Sequence, residues 1–258
     1  MRLVMKSQPN LFRGFKVLFL IVFLFAISFS SVFAATLKIE TMDVAPLGFL
    51  GADGKPTGVL YEVSNLIAKE AGIPYENILS SYSRMVKDLE DGNASFILRL
   101  YGNEDLDKNC IQIAQIAIPL QTIIVGTGGT SFKTLDDLHG KTVGILRGSV
   151  LDEKFSADKL INKYEVNDYT QMLKMLTTKR LDAVVGSAMG LYYEAQKLGM
   201  KKGELGIPFV LSTGYNKLFF SKKLADENTI AALKAAVDRL NKQGAFTKIF
   251  NKYVGDFI

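Results

Sequence analysis

The sequence predicts an α/β protein with mainly parallel strands, and three observations carry that reading. Strand-like and helix-like segments alternate from residue 36 to the end of the chain. Glycine and proline fall between them, where helices and strands have to stop. Two stretches also run in step. Met85-Val86-Lys87-Asp88-Leu89 precedes Ser95-Phe96-Ile97-Leu98, and Met172-Leu173-Lys174-Met175-Leu176 precedes Asp182-Ala183-Val184-Val185, with ten residues from methionine to strand in each. Such repetition suits two similarly built α/β lobes.

The elements follow in order. Thr36 to Thr41 alternates apolar and polar side chains, as a half-buried strand does. Val59, Val63, Leu66 and Ile67 then recur at helical spacing until Gly72 and Pro74 end that helix. A short strand at Ile78-Leu79 leads to a helix from about Ser83 to Gly92, and Ala94 to Leu100 is a continuous strand. In the second half, Thr134-Leu135-Asp136-Asp137 is a capping-box-like helix start. Lys141 to Leu146 reads as strand, Ser149 onward as helix, Gln171 to Thr178 as helix and Leu181 to Val185 as buried strand. Ile230, Leu233, Val237 and Leu240 mark an amphipathic helix closed by Gly244, with a short helix from Phe246 to Tyr253 after it. Gly126-Thr127-Gly128-Gly129 lacks the lysine and hydroxyl residue of a phosphate loop, so it reads as a flexible connection.

Composition narrows the function. The 258 residues are 48% hydrophobic and 22% charged, enough for a proper core. The net charge of +5 owes four basic residues to the first 34 positions, and the remainder carries 27 basic against 26 acidic side chains. A nearly neutral body argues against nucleic acid as a partner. One cysteine, Cys110, excludes an intrachain disulfide and a cysteine-cluster metal site, and one histidine, His139, leaves little material for histidine catalysis. No cofactor or metal is expected. His139 lies in a Leu-His-Gly-Lys turn that reads as solvated.

The first 34 residues have the order of a secretory signal: Arg2, Lys6, Arg13 and Lys16, then the apolar run Val17 to Ile27, then serines and Val32-Phe33-Ala34. Cleavage after Ala34 is expected, with a periplasmic mature chain. A retained membrane anchor is the rival reading, because Val17 to Ala35 is nearly long enough to span a bilayer.

Six segments in order resemble the bacterial extracellular solute-binding proteins of family 3, of the polar amino acid uptake type. They are Leu47-Gly48-Phe49 through Asp53-Gly54-Lys55-Pro56-Thr57-Gly58, the helix Ile67-Ala68-Lys69-Glu70-Ala71-Gly72, Leu135 to Gly144, Arg147-Gly148-Ser149, Arg180-Leu181-Asp182-Ala183, and Ser221-Lys222 with Gly244. The resemblance implies a two-lobed periplasmic-binding-protein-like fold (type II) with two chain crossovers. Lobe 1 would be residues 35–122 plus 213–258, and lobe 2 residues 123–212. It further implies a small-molecule solute held in the cleft by hinge closure, a membrane transporter permease (of the ABC class) or a sensor as partner, and a monomer. A sensor or accessory protein and a dehydratase-like enzyme are the alternatives on this scaffold. For the enzyme, Glu104 and Asp105 are the available acid–base candidates.

Two departures from the family matter. Its amino acid receptors carry a carboxylate-gripping arginine in a Thr-Pro-Glu-Arg stretch, where this chain has Gly102-Asn103-Glu104-Asp105-Leu106-Asp107. The acid that binds the ligand ammonium would fall at Ser187. Only five arginines follow residue 34, and Arg84, Arg99 and Arg147 fall near the loops this fold directs at its cleft. Arg99 ends a strand, where α/β folds bind ligands. Ser149 and the amides of the helix expected there would make an anion site. Phe49, Tyr82 and Tyr101 are candidate cleft aromatics, and Asp43 is a candidate for an ammonium or a loop cap. For each arginine the alternative is an ion pair or a packed stem.

Overall fold

The computed structural model describes residues 36–99, 108–149 and 151–255. Tyr101, Glu104, Asp105 and the apolar segment before residue 36 lie outside the described residues. The first half opens with strand β1 (Leu37–Met42), the small hairpin β2 (Phe49–Leu50) and β3 (Pro56–Thr57), and helix α1 (Val59–Ala71). Strand β4 (Tyr75–Ser80), helix α2 (Tyr82–Asp91) and strand β5 (Phe96–Arg99) follow, and then the long strand β6 (Cys110–Val125). The second half holds β7 (Thr142–Leu146), α3 (Glu153–Ala157), β8 (Asn162–Val166), α4 (Tyr169–Thr177), β9 (Ala183–Ser187) and α5 (Ala188–Lys197). A second long strand, β10 (Phe209–Ser221), leads to α6 (Glu227–Lys242) and α7 (Ala245–Val254).

Eight strands form one hydrogen-bonded ladder in the order β4-β1-β5-β10-β6-β9-β7-β8. Each half contains three parallel strands in the same spatial order, with the first strand in the chain lying between the second and third. Met85 on α2 and Met172 on α4 are both buried in the helix preceding the third strand, so the repeat legible in the sequence has a structural counterpart. Among the described residues the halves share the ladder only through β6 and β10. Strand β5 pairs with the Lys217–Phe220 end of β10, and β9 with the Thr122–Val125 end of β6. Where the β9-paired end of β6 stops, Ser212 opposes Thr122 and Thr213 opposes Gln121, and this stretch of the ribbon is exposed on its β10 side.

Apolar periodicity accounts for the packing. Val59, Val63 and Ile67 of α1 are fully buried, and so are Leu233 and Val237 of α6. Gly72 closes α1 in the left-handed conformation, its N–H reaching the carbonyls of Ala68 and Lys69. A second cluster joins Met85, Leu89, Ile97, Cys110 and Phe219 between α2 and the sheet. In the other half Leu138, Val143, Phe155 and Val185 form the corresponding core.

Several expectations are corrected. The segment at Thr134 does carry a capping box, but it is a single 3₁₀ turn over Leu135–Leu138. The helix expected from Ser149 starts at Glu153 and has five residues, with Asp152 as its N-cap. Gly148 adopts φ 72 there, and the Ser149 hydroxyl donates to the Leu146 carbonyl at 2.7 Å, so the chain turns before any helix begins. The Gly126–Gly129 loop is a packed connection. Its Gly128 N–H bonds the Glu204 carbonyl, and Thr127 and Ser131 bridge to Leu205 and Ile207. A Cβ on Gly128 would stand 2.1 Å from the Gly203 carbonyl oxygen, which is why glycine is needed. His139 is exposed, as its solvated turn predicts, with Nε2 3.0 Å from Asp158 Oδ2.

Candidate functional site

The carboxyl ends of β1, β4 and β5 lie side by side, because the three strands are parallel and in register. At that edge a cavity of about 260 Å³ opens. Met42 comes from β1, Leu47 from the loop after it, Leu60 from α1, Tyr82 and Met85 from α2, and Leu98 and Arg99 from β5. The two long strands complete it with Leu120 and Asn216. Strand β5 is buried through Phe96, Ile97 and Leu98, so the chain delivers Arg99 at the point where the sheet ends.

Arg99 is the charged residue of this cavity. Its Nε and Nη1 are shielded from solvent and have no hydrogen-bond partner among the described residues. Its guanidinium carbon lies 5.4 Å from the centre of the Tyr82 ring, a cation–π contact. Buried polar atoms are rarely left unsatisfied, and leaving one without a partner costs about 1–3 kcal/mol, more on a charged group.

The other sequence candidates separate from this pocket. Arg84 turns along its own helix, with Nε 3.2 Å from Asp88 Oδ2 and a 69% exposed side chain. Arg147 pairs with Glu165 at 3.3 Å on the second half, not at a helix start. Ser187 caps α5: its Oγ accepts from Gly190 N–H, and its own N–H donates to the Tyr169 hydroxyl at 2.9 Å. Asp43 is exposed just past β1, its N–H donating to the Ser80 carbonyl. Phe49 packs between Tyr193 and Tyr253, with ring centres 5.7 and 6.2 Å away, so it joins α5 to α7.

Beside the pocket, on the same face of β1 as Met42, Glu40 is buried against α2 with Oε2 unpartnered. Burial pushes its carboxyl above the usual glutamate range; the Ser80 bond opposes this and the neighbouring Asp88 reinforces it. For Asp88 desolvation acts upward, but bonds from Asn93, Arg84 and Glu40 hold its carboxyl below the usual range. Met42, Leu47, Leu60, Met85, Leu98, Leu120 and Asn216 were not singled out as site residues from sequence. Asn216 left a trace there, as a polar residue beside the apolar run Leu218-Phe219-Phe220, and it is 3% exposed.

Two α/β halves joined by a two-stranded ribbon, with a pocket at the strand ends, are the build of a periplasmic-binding-protein-like receptor. The chain belongs to the bacterial extracellular solute-binding proteins, family 3, whose sequence profile matches residues 37–256. It is 29% identical over 214 residues to the "Probable amino-acid-binding protein YxeM" of Bacillus subtilis, covering 80% of this chain and 79% of that one. It is 24% identical to the membrane-bound lytic murein transglycosylase F of Pectobacterium atrosepticum, over 85% of this chain but only 46% of that enzyme. Among solved structures, substrate-binding domain 2 of Lactococcus lactis GlnP in open conformation has a TM-score of 0.70 at 19% identity, covering 85% of this chain and 94% of that one. This protein is therefore a solute-binding protein of the extracellular family. No helix among the described residues is long and apolar enough to cross a membrane.

Proposed function

We propose that the chain is an exported receptor that captures one small anionic solute and presents it to the permease of a membrane transport system. The single observation carrying the anion is the pair of buried, unpartnered nitrogens on Arg99. A ligand carboxylate would meet them as a two-pronged, charge-assisted pair. Residues 35–122 with 213–258 form one lobe in this reading, and 123–212 the other. The ribbon where Ser212 opposes Thr122 is the hinge on which they close. Closure would bring Ser149 and Ser187 of the second lobe toward the pocket. The chain acts as a monomer, without cofactor and without turnover. The relative named as amino-acid-binding favours a second reading, an amino acid ligand. Against it stand the missing arginine in residues 102–107 and the serine at position 187.

A thermal-shift screen of carboxylates, amino acids, peptides and sugars separates the readings, because a ligand raises Tm by mass action. Carboxylates should stabilise the protein and be recovered unchanged. Arg99→Ala should weaken them well over tenfold, while Arg180→Ala, exposed in the turn before β9, binds as wild type. Hits among neutral sugars or cations alone, or equal binding by the two variants, would overturn the anion site.

A further inference from the structure

We infer that the solute is a small monocarboxylate with a hydrocarbon body and no ammonium group, which rests on the Arg99 reading above. Around Arg99 the cavity walls are Met42, Leu47, Leu60, Met85, Leu98 and Leu120, with the Tyr82 ring on one side and the Asn216 amide as the neutral polar group. No carboxylate and no second cation line it among the described residues. A ligand ammonium would have to shed water against thioether and leucine surface, with no opposite charge in the lining among the described residues to meet it. Among the described residues the acids on that side stand outside the lining: Asp88 holds Arg84 and Asn93, Glu40 is buried beside Asp88 and Ser80, and Asp43 is exposed. A second ligand carboxylate meets the same difficulty, since Arg84 is committed to Asp88.

Size and wall chemistry fix the body. The volume of about 260 Å³ lies below the usual range for drug-sized ligands, so the part of the solute seated in this lobe is small. Two methionines give an adaptable wall that accepts straight, branched or aryl carbon skeletons. With the carboxylate on Arg99, the carbon body runs toward Leu60 and Met85, and each added methylene should tighten binding about fourfold until the cavity is full.

Calorimetric titration of the exported chain with 4-methylpentanoate, with leucine (the same skeleton carrying an amino group) and with succinate tests this. The expected result is that 4-methylpentanoate binds at least tenfold tighter than either, and that affinity rises from propanoate to pentanoate. Leu47→Asn should flatten that rise while binding stays dependent on Arg99. If leucine or succinate binds as tightly as 4-methylpentanoate and Arg99→Ala still abolishes that binding, the hydrocarbon body is wrong and the anion site stands. If no carboxylate binds the wild-type chain, both readings fall together.

Discussion

Replacing Glu40 by glutamine should stabilise this protein at alkaline pH and do little at acid pH. Glu40 is 6% exposed, and burial, reinforced by the neighbouring Asp88, raises its carboxyl pKa. A glutamic acid whose folded value lies above its unfolded value, about 4.3, binds more protons in the native state. Stability from that group is then fully present below the unfolded value and lost as pH rises through the folded one. At pH 8 the native protein holds a carboxylate at Glu40, against Asp88 and with Oε2 unsatisfied. Glutamine keeps the shape, carries no charge, and its amide can donate to Asp88 as a protonated glutamic acid would. A buried polar atom left without a partner costs about 1–3 kcal/mol, so the glutamine should gain about 1 kcal/mol at pH 8, or about 2–4 °C in Tm for a chain of this size. At pH 4 the two proteins should melt together. Calorimetry at both pH values, at one ionic strength, reads the difference, in which the other carboxylates cancel. A loss at pH 8, or an equal gain at both, would refute the reasoning and make the Glu40 carboxylate a working partner of Arg84.

Other consequences are as direct. Arg84→Ala and Arg147→Ala should leave ligand affinity within about twofold, since each side chain is exposed and held by Asp88 or Glu165; parallel titrations check this. Gly128→Ala should destabilise the fold by about 1–3 kcal/mol in urea, because its Cβ meets the Gly203 carbonyl at 2.1 Å; no change would return that loop to a flexible connection. Intact-mass analysis of the exported chain should find Ala35 as its first residue, and a membrane fraction retaining Met1 would contradict cleavage.

What the sequence disclosed depended on whether a segment buries one face. Helices α1, α2 and α6 keep their apolar stripe, and β1 and β5 carry runs that only strands explain. The long strands were legible only as places where the chain crosses, at Thr122 and Thr213. Their burial changes along their length, and register shifts at Val210/Ser212, Tyr215/Lys217 and Leu218/Phe219 break the two-residue period. Helix α5 escaped because Ala188 through Tyr192 are all buried, which erases a polar face. Gly190 within it packs against Tyr169, where a Cβ would lie 2.4 Å from the ring. Strand β8 is a mostly exposed edge, and without it the Arg147–Glu165 pair had no visible basis. Arg84 was readable after all, since Asp88 stands four residues on along the same helix. Arg99 was singled out from its place at a strand end, but its apolar surroundings come from five separate elements and the loop after β1, which only folding brings together.

The most direct measurement is a crystal structure of the exported chain with the tightest carboxylate from the screen. The predicted result is a carboxylate seated on Arg99 Nε and Nη1 at about 2.7–2.9 Å, the usual range for such charge-assisted bonds, with the ligand body among Leu60, Met85 and Leu120. A carboxylate lying on Arg84 or Arg147, with the two Arg99 nitrogens still empty-handed, would contradict the account.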